Sequence, residues 1–494
     1  MRDACCGSRA TLRPTSKRAE HHPPAHAGDG AAEPMLFNDY PFLLVFLPAA
    51  LLIYRLADPY PHLRIGVQVA LSLAFYAWGS PSFILLLIGL IVINWLASVA
   101  YGRVKWPAVL TLVLMLDLAV LALFKYANFL LANLGLVLGT TLPVLDVGLP
   151  LGISFFTFHH IMYLVDLKRG RAPLYALDRY ALYITFFPQA IAGPLARWSE
   201  VMHQFGRQIY VPGWQRQFCV ATCFIAIGLF EKIVIADGLA HLLDPIYTQA
   251  GNGPLPSGDA WLAFCFSFQI LFDFSGYSDI AIGLGLLFGV QLPYNFNAPL
   301  RSTNIQDFWQ RWHITLMLFL RDYVFYPLVN LRLLPRHWLP VQFFAAMMIT
   351  MALCGLWHGA SWTFVLWGVL HGLALVACTL WRRYGPNFPS WLGWALTVLF
   401  VLATGVIFRA GSVEAAWHVF AGLVSPLPLE RGKHLWPLIA APLFAFLLPA
   451  SQDIVAVLTR RPNPWLAGLL GLGLFALLLH MGGRDLHEFV YFKF

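Results

Sequence analysis

The sequence predicts an all-α, polytopic membrane protein, with roughly 11 to 13 transmembrane helices at about 20 residues per crossing and short re-entrant or interfacial helices between them. Three observations predict this. Hydrophobic residues make up 59% of the 494 positions and charged residues 11%, against about a quarter charged in an ordinary globular chain. Apolar runs long enough to span recur from Pro41 nearly to the C-terminus. From His337 to Trp381 there is no Asp, Glu, Lys or Arg at all, enough length for two crossings at about 20 residues each.

Charge and cysteine usage narrow the class further. The 32 Lys+Arg exceed the 24 Asp+Glu, giving +8. In a membrane chain this reflects basic cytoplasmic loops rather than nucleic-acid binding. Of seven cysteines, Cys219, Cys223, Cys265, Cys354 and Cys378 lie in apolar runs, where they read as packing groups and not as a disulfide framework or metal site.

Taken in order, residues 1–34 are rich in Ala, Arg, His, Pro and Gly and carry no apolar run. They read as a disordered extension, with Met35 opening MLFNDYPFLLVFLPA as the natural start. Asp58-Pro59 and Gly79-Ser80-Pro81 read as turns between the first spans. A pair of spans follows from Pro107 to about Leu138, interrupted by Lys125-Tyr126-Ala127-Asn128. Lys125 reads there as a lysine snorkelling from near a helix end.

LPLGISFFTFHHIMYLVDLKRGR ends in the clearest basic loop, Lys168-Arg169-Gly170-Arg171, cytoplasmic by the positive-inside rule. His159 and His160 point about 100° apart on a helix, so at most one lines an internal cavity. In FFPQAIAGPLARW, Pro188 and Gly193-Pro194 break the helix. Broken backbone at membrane depth is expected where it lines a cavity or is buried in protein. In LFDFSGYSDIAIGLGLLFG, Asp273 and Tyr277 share one helix face, as do Ser275 and Asp279. Carboxylates at this depth need partners, in a buried network or along a polar tunnel wall.

The stretch from Pro293 to Leu328 is the densest in polar groups. Asn304 is placed to cap a helix, and Asp307 and Arg311 pair at i,i+4. An amphipathic interfacial helix explains Trp309, Trp312 and these charges, with Arg321 and Asp322 at the far end. It does not require His313.

GLWHGASWTFVLWGVLHG, Gly355 to Gly372, is the focus. In a charge-free segment an imidazole is the group able to trade a proton near neutral pH, and an ionisable group there is a candidate functional site. The apolar surroundings favour the neutral imidazole that a general base needs, and such a base accelerates a reaction about 100- to 10,000-fold. Gly355 and Gly359 clear one helix face, beside Trp357 and His358, for close helix packing or for a substrate. His371, thirteen residues on, lies roughly 140° away around one ideal helix and does not meet His358 by helix geometry alone. No G-x-S-x-G elbow, Walker A, H-E-x-x-H or Rossmann glycine pattern is present.

With these motifs in hand, the chain resembles the membrane-bound O-acyltransferases (MBOATs), in the branch of the alginate O-acetyltransferase membrane subunit and the D-alanyl transfer protein of teichoic acids. DFSGYSDIAIG, NFNAPLRST followed by FWQRWHITL and LRDYVF, and GLWHGASWTFVLWGVLHG carry the resemblance, which extends from Met35 to Phe494. It implies one transmembrane domain over 35–494 around a central tunnel. It further implies acetyl-CoA as a cytoplasmic donor substrate with no permanently bound cofactor, and an external hydroxyl acceptor. His358 matches the family's essential histidine, as base or acyl relay, and His313 its second histidine. Trp357, Trp312, Arg311, Asp307, Arg321, Asp322, Asp273, Tyr277 and Asp279 would support them or line the tunnel. A periplasmic SGNH-type or related acetyltransferase would be the partner, an alginate-like exopolysaccharide the final acceptor, and the bacterial inner membrane the location. Two other readings compete: a D-alanyl or lipid O-acyltransferase of the same fold, and a transporter or exporter subunit using Asp273 and Asp279 as coupling sites.

Overall fold

The computed structural model describes residues 35–331, 335–387, 389–425, 436–460, 464–481 and 489–490. The expected extension over 1–34 lies outside them. Among the described residues every regular element is helical.

Among the described residues, seven helices are long and apolar enough to cross a membrane: α3 (Pro81–Val104), α4 (Pro107–Leu138), α7 (Trp214–Ala250), α8 (Ser257–Leu287), α11 (Arg336–His358), α12 (Trp362–Tyr384) and α13 (Ser390–Arg409). A pair bent by 70°, α15 (Ile439–Leu447) and α16 (Ser451–Leu458), raises the number to eight if it is one span. Shorter or more polar helices complete the bundle: α1 (Pro41–Ala57), α2 (Pro61–Gly79), α5 (Ile153–Lys168), α6 (Leu177–Thr185), α9 (Ile305–Arg311), α10 (Ile314–Leu320), α14 (Val413–Gly422) and α17 (Ala467–Met481). The molecule is an all-α, multi-pass membrane protein.

From Phe266 onward helix α8 is buried on every face, as expected of a helix apolar all round. It packs on α7 with almost no separation. A Cβ on Gly228 would sit 2.4 Å from the Gly276 carbonyl oxygen, and one on Gly276 would sit 2.7 Å from that of Gly228. Small residues at such a crossing let backbones touch where no hydrophobic force drives helices together.

Buried charge on α8 is satisfied inside the bundle. Lys232 of α7 donates to Asp237 and to Asp273, each at 2.7 Å. The second oxygen of Asp273 accepts the Val490 backbone N–H at 2.8 Å. Asp273 therefore belongs to a network that also holds Val490. Tyr277 is stacked between Phe37 and Phe489, at 4.9 and 4.7 Å. Asp279 is buried beside Ser451 and Glu231, and Glu231 accepts from Ser275.

Basic residues gather at one end of the bundle. The Tyr101 hydroxyl, near the end of α3, meets the Lys168 carbonyl, which brings Arg103 and Lys105 toward Arg169 and Arg171. Asp166 faces both of those arginines at 3.8 and 4.0 Å and accepts from Tyr323 and Trp198. Asp322 bridges Arg197 and Arg321 at 2.6 and 2.7 Å. Burial alone would raise the Asp322 carboxyl's pKa, but the hydrogen bonds from Arg321 and Arg197 hold it below the usual carboxylate range. Helix α9 lies at the same end: Asn304 caps it by accepting from the Asp307 N–H, Asp307 pairs with Arg311 at 2.8 Å, and Arg382 donates to Gln306. The cap and the i,i+4 pair form as expected, but Trp309 and Trp312, read as interfacial, are buried inside the protein.

Candidate active site

His358 is the last residue of α11, and the chain leaves the helix at once through an extended Gly359. It returns as α12, whose N-cap Ser361 accepts from the Thr363 N–H. The hairpin is tight because of its glycines. A Cβ on Gly355 would lie 2.1 Å from the Phe364 carbonyl oxygen, one on Gly359 would strike the Phe364 ring at 2.2 Å, and one on Gly368 would meet the Met351 carbonyl at 2.3 Å. These glycines serve helix packing and not substrate approach.

The imidazole of His358 sits among aromatic rings, with centroids at 4.8 Å to Trp357, 5.2 Å to Trp367 and 5.0 Å to Phe408. Cys354 Sγ lies 4.0 Å from its Nε2. His358 lines two cavities. One, of about 170 Å³, is walled by Lys125, by residues from Leu149 to Phe155 at the N-terminal end of α5, and by Ile191 and Ala192. That wall stands at the end of α5 opposite its basic C-terminus. The other, of about 40 Å³, is bounded by Trp312, Trp367, His371, Thr404 and Phe408, with room for water.

His313 is placed by backbone as much as by side chain. It adopts a left-handed conformation (φ 43°) at the start of α10. That region is sparsely populated by non-glycine residues and persists where the surroundings enforce it. Two backbone hydrogen bonds do so, Asn297 N–H to the Arg311 carbonyl and Ile314 N–H to the Asn295 carbonyl, each 2.9 Å. Asn295 also places its side-chain oxygen 3.2 Å from His313 Nδ1 and accepts from the Thr315 hydroxyl at 2.9 Å. The His313 ring stands edge-on to Phe274 at 4.6 Å and in contact with Trp357 at 6.0 Å.

A run of stacked rings connects this centre with the basic end. Tyr323 stacks on Phe319 at 5.3 Å, Phe319 on Phe158 at 4.2 Å, and Phe158 on Trp357 at 5.7 Å. Beside Tyr323 lies the arginine cluster, with the Arg169 guanidinium 5.5 Å over its ring.

The sequence profile of the membrane-bound O-acyltransferase family matches residues 95–409, which contain every one of these groups. The chain belongs to the MBOAT family. It is 37% identical over 428 residues to the peptidoglycan O-acetyltransferase of Helicobacter pylori, covering 79% of this chain and 80% of that one. It is 37% identical over 407 residues to the "Probable alginate O-acetylase AlgI" of Pseudomonas aeruginosa, covering 79% and 75%. Similarity to the teichoic acid D-alanyltransferase of Streptococcus thermophilus is lower, 28% over 240 residues and 47% of this chain. The protein is an acyltransferase.

Within this MBOAT, the structure brings His358, His313, Trp357 and Trp312 together. Asp307, Arg311, Arg321 and Asp322 lie at the basic end, while Asp273, Tyr277 and Asp279 serve the core around α8. Two readings change. His371 does share the site: α11 and α12 are separate antiparallel helices, so Trp367 of α12 contacts both histidines, at 5.2 and 4.5 Å. One continuous helix is the wrong geometry for residues either side of Gly359. His371 is held by Thr404 at 3.1 Å and faces Trp309 at 5.1 Å. Lys125 does not snorkel to an interface but lines the His358 cavity. Asn295 was not singled out at all, although an asparagine in NFNAPLRST just ahead of a polar helix was its available signal.

Of the adjacent pair, His160 hydrogen-bonds the Tyr180 hydroxyl at 2.6 Å, and His159 packs edge-on to Tyr183 at 4.9 Å. Both rings are fully buried in the packed interior. The broken segment after Phe186 supplies Ile191 and Ala192 to the cavity wall, as its prolines and glycine suggested.

Proposed function

We propose that this protein moves an acetyl group from cytoplasmic acetyl-CoA across the bacterial inner membrane, for O-acetylation of an exported, alginate-like polysaccharide. The positive-inside rule makes the arginine-rich end the cytoplasmic one. A thioester entering there would follow the ring wall from Tyr323 to Trp357. The acceptor hydroxyl would come from the opposite side, through the cavity beside Gly152.

The observation that carries this reading is that His358 lines both cavities at the end of that wall. Its cavity of about 170 Å³ is well below the roughly 300–1,000 Å³ typical of drug-sized ligands. It suits a short acyl group better than a lipid chain. In the step itself, the imidazole takes the proton of the acceptor hydroxyl as its oxygen attacks the thioester carbonyl. The C–S bond then breaks, and the imidazolium returns the proton to the departing thiolate. His313, across the Trp357 ring, positions the centre or shares the proton. A periplasmic SGNH-type or related acetyltransferase would carry the group onward to the polymer.

The test uses inside-out membrane vesicles from cells making the protein and its polymer, given acetyl-CoA labelled in the acetyl group. Label on the polymer fraction with matching release of CoA thiol supports the reading. Polymer acetylated in cells, with no label transferred from acetyl-CoA in vesicles, would point to a different donor.

A further inference from the structure

The cavity beside His358 contains one ammonium group that the proposed chemistry does not use. Lys125 belongs to α4, in a wide π turn spanning Ala122–Tyr126. Such turns are rare and re-aim a side chain, often at functional sites. The lysine is directed inward. Its Nζ donates to the backbone carbonyl of Trp357 at 2.5 Å and lies 5.7 Å over the indole of the same residue. Among the described residues that hydrogen bond goes to a carbonyl and not to a carboxylate.

Helix α11 ends without the usual closure. Its last four carbonyls have no partner within the helix, and Gly359 is extended (φ −167°, ψ 151°) and makes no left-handed turn that would satisfy them. The Trp357 carbonyl is one of these, adjoining His358 along the chain. A cation at a helix C-terminus is favourable for the carbonyl it caps and for the helix dipole. An ionisable group in an apolar span is otherwise expensive to keep.

We propose that Lys125 is a positioning residue for acyl transfer: its ammonium caps the helix that ends in His358 and holds the imidazole at the mouth of the cavity. This rests on the reading of His358 as the acting base. The effect is exerted through the Trp357 peptide, which fixes the final turn from which the imidazole projects. Trp357 is also the ring in contact with His313, so one lysine tethers the indole that meets both histidines. Lys125 lines the side opposite the arginine cluster, so it acts on the catalytic turn and not on donor capture.

The test measures CoA thiol release against acetyl-CoA concentration in membrane vesicles, per amount of folded protein, for wild type, Lys125→Met, Lys125→Arg and His358→Ala. Lys125→Met should lower kcat at least about tenfold while leaving KM for acetyl-CoA within about twofold, the signature of lost alignment. Lys125→Arg, which keeps donor and charge, should recover most of kcat. If Lys125→Met does not accumulate, Lys125→Gln, whose shorter uncharged side chain removes the ammonium, is read by the same criteria. Unchanged kcat per folded protein, or a raised KM with kcat intact, would overturn the proposal. Full activity in His358→Ala would instead remove the reading beneath it, and is distinguishable because only that variant touches the imidazole itself.

Discussion

His313 and His358, 45 positions apart in the chain, contact the same indole, that of Trp357, at 6.0 and 4.8 Å between ring centroids. Neither lies on the other's helix. What makes them one centre is the hairpin of α11 and α12 on one side and the Asn295 clamp on the other.

The clamp can be tested directly. Asn295→Ala removes the acceptor shared by His313 and Thr315, leaving buried polar groups short of a bond at about 1–3 kcal/mol each. The two backbone bonds that hold the left-handed turn remain, so the loss falls on the setting of the His313 ring. Acyl transfer per folded protein should fall by about 10- to 100-fold, as expected of a misplaced catalytic group, measured as thiol release in vesicles.

Hairpin closeness predicts a contrast between two glycines. Gly355→Val inserts atoms where a Cβ already lies 2.1 Å from the Phe364 carbonyl oxygen, so α11 and α12 must separate. Activity and membrane abundance should both drop. Gly66→Ala, with nothing within 4 Å of the new Cβ, should be neutral or slightly stabilising by helix propensity, up to about 1 kcal/mol. Fluorescence-detected size-exclusion profiles after heating read both.

The α7–α8 network predicts a stability effect. Lys232→Met leaves Asp237 and Asp273 buried without their shared cation, which typically costs about 3–5 kcal/mol. The same change loosens the tie from Asp273 to Val490. A sharp fall in the detergent melting temperature is expected, larger than for any single arginine change at the basic end.

At that end, Asp322 gives a pH dependence. Its folded-state pKa lies below the ordinary carboxylate value, so the native state favours the charged form. The stabilisation is complete above the unfolded-state pKa, about 3.9, and is lost as pH falls through the lower folded value. Asp322→Asn should therefore destabilise by about 1 kcal/mol or less at neutral pH. The difference from wild type should shrink toward zero in strongly acidic buffer, as followed by melting curves across pH.

Much of the architecture could be read from residue pattern alone. A segment free of charge from His337 to Trp381 with glycines around a histidine describes the hairpin. Asn304 with Asp307 describes a capped helix start, and Lys168 to Arg171 mark the basic end. These signals are local, set by spacing along one element. The rest depends on which elements meet. Lys125 in an apolar run has the same pattern whether it snorkels outward or turns inward at a π bulge. His371 is out of reach around one continuous helix and meets the site because the helix ends at His358 and restarts at Trp362. Asn295 acts on His313 through backbone pairing between two segments, which no periodicity encodes.

The proposed mechanism places the transfer on one imidazole, at the end of α11. The most direct measurement is the O-acetyl content of exported polymer in cells carrying His358→Ala, with membrane abundance of the variant checked alongside. Loss of acetylation by about 100- to 10,000-fold, at normal abundance, is the predicted result. Wild-type acetylation at normal abundance would contradict it.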